Sequence, residues 1–363
     1  MLNDESYIKL TIELAKKGIG KVSPNPLVGC VIVKNDRIIG AGYHEKFGGN
    51  HAEINAINNS KENLEGASLY VNLEPCSHHG KTPPCVDKII EKKISRVVVG
   101  TLDMNPLVSG RGIKKLKAAG IEVKVGILEQ ECVELNKFFF KYITKKIPYV
   151  TLKAAQTLDG KIADEFGNSK WISSLASRKY VHKLRSLYDA VLIGRKTVEI
   201  DDPSLTVRLI EGRNPKKIVL DSELKIDLKH KVFSNVKDGS LIIVTSKKVL
   251  DRKRKIRKLT SLGVKIIAVK QDADGKLNLK SLLRELTKIG ITSVLVEGGS
   301  EIFSSFVKEN LFDDIKLFIA PKILGNGLSA FSQIGKRTIT SASKLQFKNL
   351  EFFDDDLLVE LVK

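Results

Sequence analysis

Two periodicities alternate along this chain. Residues 7–15 place apolar side chains at helical spacing, and Gly18 and Gly20 end that run. Residues 28–33 and 37–41 are short apolar runs joined by Asn35-Asp36, which predicts a hairpin. Helical spacing returns at 52–58, 86–93 and 112–119, interleaved with strand-like runs at 69–73, 96–100 and 121–125. Such alternation predicts a mostly parallel sheet with helices on both faces, because parallel strands need crossover helices. Residues 129–142 read as one helix that closes this series.

A second alternating series follows the connector Lys145-Lys146-Ile147-Pro148. Its predicted strands are 149–154, 190–193, 218–220, 241–245, 264–269 and 293–296, with helices over 178–187 and 279–289. Residues 346–352 and 357–362 flank Asp354-Asp355-Asp356 and predict a closing antiparallel hairpin. The pattern gives an α/β chain of two domains, 1–146 and 147–363, and a length of 363 residues suits two cores better than one.

Composition narrows the partners. The net charge of +19 comes from 61 lysines and arginines against 42 acidic residues, scattered in ones and twos. The densest run, 247–258, reads as the solvated face of a helix. It lacks the interleaved aromatics of a single-strand binder, so nucleic acid is not an expected partner. Anionic, phosphorylated small molecules are a sufficient reason for the charge. No stretch approaches the roughly 20 apolar residues of a membrane span, and the acidic opening Met1-Leu2-Asn3-Asp4-Glu5 is unlike a secretory signal. Of only four cysteines, Cys30 and Cys132 read as inert buried thiols, and a reducing cytoplasm is the expected compartment.

The strongest chemical signal is His51-Ala52-Glu53, followed by Pro75-Cys76 and Pro84-Cys85. His51, Cys76 and Cys85 give zinc one imidazole and two thiolates. They leave the fourth tetrahedral position for water, the count of a catalytic site. Glu53, two residues beyond His51, stands where it can move that water's proton. This order of residues is the pattern of zinc nucleobase deaminases. Their usual two residues between cysteines become the eight from Ser77 to Pro84 here. His78 and His79 in that insert are either further ligands or part of a loop that shapes the pocket. In the second series no G-x-G-x-x-G occurs, which argues against a Rossmann site. Glu297-Gly298-Gly299-Ser300 is either a phosphate cradle or a plain strand-to-helix joint, and Asp201-Asp202-Pro203 either carries chemistry or starts a turn.

Together these segments resemble a known family. Asn25-Pro26-Leu27-Val28-Gly29, His51-Ala52-Glu53 and the stretch from Glu74-Pro75-Cys76 to Pro84-Cys85 resemble the deaminase half of the bifunctional deaminase/reductases of riboflavin biosynthesis. Asp159-Gly160-Lys161-Ile162-Ala163, Ser169-Lys170-Trp171-Ile172, Gly194-Arg195-Lys196-Thr197-Val198 with Asp201-Asp202-Pro203, and Glu297-Gly298-Gly299 resemble the reductase half. The resemblance runs in order over nearly the whole chain. It implies a cytidine-deaminase-like three-layer first domain and a dihydrofolate-reductase-like second domain. It further implies zinc-dependent hydrolytic deamination of 2,5-diamino-6-ribosylamino-4(3H)-pyrimidinone 5′-phosphate. Reduction of the ribosyl side chain to ribityl with NADPH follows, giving 5-amino-6-ribitylamino-uracil 5′-phosphate.

Residue by residue, the resemblance implies that Asn25, His44 and Lys81 contact the first substrate. Ala155, Trp171, Thr197 and Asp201 would contact the cofactor, with Gly299, Ser300, Glu301, Ile302, Phe303, Ser304 and Ser305. Ser169, Arg185, Leu205, Arg208 and Glu297 would contact the second substrate, and the two arginines suit a 5′-phosphate. Lys153, Asp201 and Glu297 are the expected catalytic groups of the reduction. Thr245-Ser246-Lys247 offers either a hold for the cofactor's 2′-phosphate or a helix cap at Ser246. A homo-oligomer is expected. Two other readings remain open at this point: a nucleic-acid-editing deaminase without a dinucleotide pocket, and a structural zinc protein in which Glu53 is incidental.

Overall fold

The computed structural model describes residues 2–77, 83–106, 108–237, 239–332, 334–335 and 338–363. The chain divides into two compact units, Met1–Ile147 and Pro148–Lys363. In the first, Asn3 caps helix α1 (Asp4–Lys16) by accepting the Ser6 N–H. Strands β1 (Gly29–Lys34) and β2 (Arg37–Tyr43) form the expected hairpin. Asn35 and Asp36 turn it at φ of 50° and 58°, the left-handed pair that matches the strands' twist. Then come α2 (Ala52–Asn59), β3 (Ser68–Leu73), α3 (Cys85–Glu91), β4 (Arg96–Thr101), α4 (Arg111–Ala118) and β5 (Glu122–Val125).

The sheet order is β2-β1-β3-β4-β5. β1 runs antiparallel to both neighbours, and only β3-β4 and β4-β5 are parallel. The sheet is therefore half parallel, not mostly so, because a two-residue hairpin forces antiparallel pairing. Alternate residues serve opposite faces. Cys30, Ile32, Leu69, Val71, Val97 and Val99 pack with the apolar sides of α2, α3 and α4. Val31, Val33, Tyr70 and Val98 pack with α1 and Cys132. This is a helix–sheet–helix sandwich.

The helix expected over 129–142 is two helices, α5 (Glu129–Leu135) and α6 (Lys137–Lys145), broken at Asn136. Asn136 uses its amide on a distant segment: Oδ1 accepts the Leu27 N–H at 2.8 Å and Nδ2 donates to the Leu27 carbonyl at 2.9 Å. Fully buried Asn72 donates to the same carbonyl and accepts the Gly29 N–H. The two amides fix the chain just after Asn25.

The second unit runs β6 (Tyr149–Thr157), β7 (Lys161–Ala163), α7 (Leu175–Leu187), β8 (Ala190–Gly194), α8 (Arg195–Asp201), β9 (Lys216–Leu220), β10 (Leu241–Ser246), α9 (Lys253–Ser261) and β11 (Lys265–Val269). It continues with α10 (Leu279–Lys288), β12 (Ser293–Val296), α11 (Ser300–Lys308), β13 (Asp314–Ala320), β14 (Leu328–Ser329), β15 (Gln346–Phe353) and β16 (Asp356–Val362). Nine strands form one sheet in the order β11-β10-β9-β8-β12-β6-β13-β16-β15, and β7 pairs with β14. All pairings from β11 to β13 are parallel, and the closing hairpin adds the two antiparallel ones. β13 was not anticipated, since Asp314 and Lys316 interrupt its apolar run. Both are buried beside polar partners, Asp314 against Thr151 and Tyr149 and Lys316 against Glu360. Among the described residues no helix is long and apolar enough to cross a membrane.

Candidate active sites

In the first unit, His51 caps α2, Cys76 follows β3 and Cys85 opens α3. Strands β2 and β3 flank β1 instead of adjoining, so the ligands converge from either side of it. His51 Nδ1 lies 3.4 Å from Cys76 Sγ and 3.3 Å from Cys85 Sγ, and the Cys85 N–H donates to Cys76 Sγ at 3.3 Å. The three ligand atoms fall within 4.8 Å of one another. One ring nitrogen and two sulfurs drawn so close fit zinc. The shifts are those of a triad still holding its protons: a hydrogen bond from Cys85 pulls the Cys76 thiol down to about 4, whereas the bond to Cys76 raises His51 to about 9 and Cys76 pushes the Cys85 thiol well up. Metal binding displaces the protons of His51 and Cys85. Glu53, in the first turn of α2, is 3% exposed, and burial pushes its carboxyl up to about 7.

Beside the ligands, His44 packs edge-on against His51, with ring centroids 5.6 Å apart. Its Nδ1 faces the Asn50 carbonyl at 2.9 Å, and its Nε2 faces Asn25 Nδ2 at 3.1 Å. A carbonyl only accepts, so the ring proton sits on Nδ1, and Asn25 donates to Nε2. Burial lowers the pKa of His44 and keeps it neutral. Asn25 and His44 thus form one pre-set pair. Lys81, His78 and His79 lie outside the described residues.

Glu74 has a role the sequence motif did not reveal. Its buried carboxylate accepts the N–H groups of Asp103 and Gly110 at one oxygen and those of Gly112 and Ile113 at the other, at 2.9–3.4 Å. This ties the strand exit that carries Cys76 to the start of α4. Gly112 is required there, because a Cβ would overlap the Pro75 carbonyl oxygen.

The second unit holds a cavity of about 1400 Å³ at the carboxyl ends of β8, β9 and β12, where open α/β sheets take ligands. Every residue given a cofactor, substrate or catalytic role in the reduction lines it except Ser304, whose buried hydroxyl accepts the Ser332 N–H, and the alternative 2′-phosphate segment Thr245-Ser246-Lys247. Arg185 meets Glu297 fork to fork, Nε to Oε1 at 2.7 Å and the second nitrogen to Oε2 at 2.8 Å, and its remaining amine donates to the Thr206 carbonyl. The bidentate phosphate grip expected of Arg185 is therefore already spent, whereas exposed Arg208 retains that capacity. Burial favours the neutral form of Glu297, but Arg185 and Lys153 hold its carboxyl below the ordinary value. Burial lowers the Lys153 ammonium, with Glu297 opposing.

Asp201 closes α8, where its Oδ1 accepts the Ser169 hydroxyl at 2.7 Å. The turn belongs to Asp202, at φ 42°, which accepts the Lys231 N–H. Trp171 is 64% exposed, and the Arg178 guanidinium stacks 4.0 Å from its ring centroid. The Glu297-Gly298-Gly299 joint has a structural reason for each glycine. A Cβ on Gly298 would meet Ile193 at 2.8 Å, and Gly299 starts α11 at φ 50°. Ser246 is buried and caps the next turn by accepting the Lys248 N–H, and neither it nor Thr245 lines the cavity. His182, Arg195 and Ser222 line the cavity unanticipated. His182 precedes Arg185 by one helical turn, a spacing that would have pointed to it.

Residues 148–359 match the RibD C-terminal domain family, more than half of the chain. The chain belongs to the RibD family. Residues 1–101 match the cytidine and deoxycytidylate deaminase zinc-binding region. The chain is 48% identical to the riboflavin biosynthesis protein RibD of Aquifex aeolicus (strain VF5), across 98% of its own length and 97% of that protein. Its identity to the RibD of Escherichia coli (strain K12) is 35%, across 99% and 100% of the two. Among solved structures it is similar to a Thermotoga maritima diaminohydroxyphosphoribosylaminopyrimidine deaminase/5-amino-6-(5-phosphoribosylamino)uracil reductase. That likeness has 45% identity, 99% and 98% coverage and a TM-score of 0.87. The chain is a bifunctional deaminase and reductase of riboflavin biosynthesis that uses zinc and NADPH, with a cytidine-deaminase-like domain followed by a dihydrofolate-reductase-like one.

Proposed function

We propose that residues 1–146 deaminate 2,5-diamino-6-ribosylamino-4(3H)-pyrimidinone 5′-phosphate and that residues 147–363 then reduce its ribosyl group to ribityl. The observation that carries this is the pairing, on one chain, of a three-ligand His51–Cys76–Cys85 centre beside buried Glu53 with a separate cavity in the second unit. Zinc on the three ligands supplies the Lewis acidity that makes water a nucleophile near neutral pH. Glu53 takes the proton of that water and returns it to the departing amine, a shuttle supported by a carboxyl that titrates near 7. Asn25, oriented by His44, holds the pyrimidine together with Lys81.

In the reductase, NADPH supplies the hydride. Ala155, Trp171, Thr197, Asp201 and the segment that opens α11 hold it. Ser169, Leu205 and Arg208 grip the sugar phosphate, and Glu297 stays ionised and keeps Arg185 in place. Reduction at the ribosyl carbon breaks its bond to the ring oxygen, which then needs a proton. Lys153 gives that proton, a role supported by the burial that weakens its hold on it. A second copy of the chain completes the assembly. β15 is the outermost strand of its sheet and exposes Phe347, Leu350 and Phe352, an apolar edge of the kind that pairs. The compartment is the cytoplasm.

Incubating the enzyme with the diaminopyrimidine nucleotide and following intermediates by mass spectrometry tests the order. The deaminated compound should form first, and NADPH should be consumed only after it. NADPH oxidation with the undeaminated nucleotide would reverse the proposed sequence.

A further inference from the structure

The chemistry above leaves a buried cavity histidine unused. His182 sits on α7 one turn before Arg185, is 5% exposed, and lines the cavity alongside Arg185, Arg208 and Glu297. Its Nδ1 accepts two backbone N–H groups, from Arg208 at 2.8 Å and Leu209 at 3.4 Å. Backbone N–H groups only donate, so the ring is neutral and its proton is on Nε2. Burial, with Arg185 and Arg208 nearby, pushes its pKa down to about 4, so the ring stays in this form at neutral pH. These two bonds are the ring's only hydrogen bonds among the described residues, and both are at Nδ1.

A donor fixed in one tautomer at a cavity wall is arranged to meet an acceptor that the protein does not provide. Being neutral, it adds a donor without adding repulsion to Arg208 and Lys153. We propose that His182 binds an oxygen of the substrate's sugar phosphate through Nε2–H, while Nδ1 holds the Arg208 backbone so that the guanidinium reaches the same group. The proposal rests on reading this cavity as the reductase site. Cofactor oxygens offer the same chemistry. The substrate is favoured because the segment that His182 holds, around Leu205 and Arg208, is the substrate side in that reading.

The chain has six histidines, so the imidazole spectrum of the ¹⁵N-labelled full-length enzyme is simple enough to resolve. Saturating 5-amino-6-(5-phosphoribosylamino)uracil should shift the Nε2–H resonance that disappears in His182→Asn, whereas NADP⁺ alone should leave it in place. His182→Asn keeps an acceptor near the Nδ1 position for the Arg208 N–H but has no donor at Nε2. Its KM for that substrate should rise on the order of 10- to 100-fold, the loss of one hydrogen bond to a charged group. KM for NADPH should stay put, and deamination serves as the folding control. His182→Gln, whose amide reaches the Nε2 position, should recover part of the loss.

A resonance indifferent to substrate overturns the proposal, as does a wild-type KM in His182→Asn. A resonance moved by NADP⁺ instead gives the contact to the cofactor and overturns it too. Failure of the underlying reading looks different: the wild-type enzyme itself would not oxidise NADPH with this substrate.

Discussion

Glu53 and Glu297 are both buried carboxylates beside a ligand site, yet their surroundings drive them apart. Around Glu53 burial dominates, His51 and Cys76 act in opposite directions, and the carboxyl titrates near 7. Glu297, with its side chain 8% exposed, is gripped by both arms of Arg185 and held below the ordinary carboxylate range despite burial. A carboxyl near neutrality can take and return a proton in each turnover, whereas one locked in a guanidinium fork stays ionised. In the proposed mechanism the proton traffic of the two units follows from this difference, through a carboxyl in the first and through Lys153 in the second, with Glu297 as fixed charge.

Single substitutions put that contrast to the test. The largest effect belongs to Glu53→Gln, which keeps size and hydrogen bonding but removes the proton acceptor. Deamination should fall about 10²–10⁴-fold, with zinc content and reduction near wild type by metal analysis and NADPH oxidation. Near-full deamination would erase the difference between the two carboxyls.

Glu297→Gln should act through stability as well as chemistry, because it leaves the buried Arg185 charge unpaired. A cost of about 3–5 kcal/mol to the second unit is expected in denaturant unfolding, along with loss of reduction. A shift under about 1 kcal/mol, the scale of exposed pairs, would show the pair to be solvated. Asp201→Asn retains an acceptor for the Ser169 hydroxyl but loses its charge. Reduction should drop by about 10- to 100-fold, the loss of one hydrogen bond to a charged group, while deamination and folding hold, and unimpaired turnover of the deaminated substrate would leave Asp201 a structural residue.

The smallest effect is expected at Asp4, whose side-chain partners belong to neither chemistry. Its carboxylate accepts from both ends of the Arg96 guanidinium, from Lys124 and from Tyr70, and Arg96 above all holds it well below the usual range. A depressed native pKa stabilises the fold above the unfolded value of about 3.9, and that contribution is lost as pH falls through the native value. Asp4→Asn should therefore cost roughly 1–2 kcal/mol at pH 7. The gap to wild type should close progressively below about pH 4, read from paired denaturant titrations.

How much of this was legible in the sequence depends on distance along the chain. The metal ligands and Glu53 lie within a few dozen residues, at helix starts and strand ends that the hydrophobic period marks, so their convergence could be read. Apart from β13, the strands of the two large sheets were legible for the same reason. What escaped was set by partners far away in sequence. Asn136 breaks a helix to hold Leu27, 109 positions distant, and Arg185 spends its fork on Glu297, 112 positions distant. Nothing local to Asp314 or Lys316 announces that β6 and β16 will pair with them.

Zinc removal separates the two sites most directly. The enzyme should be treated with a chelator, checked for intact folding by circular dichroism, and assayed on each substrate in turn. Deamination should vanish and return when zinc is restored, while NADPH oxidation with the already deaminated substrate continues at its original rate. Loss of both activities in a still-folded chain would contradict two independent centres.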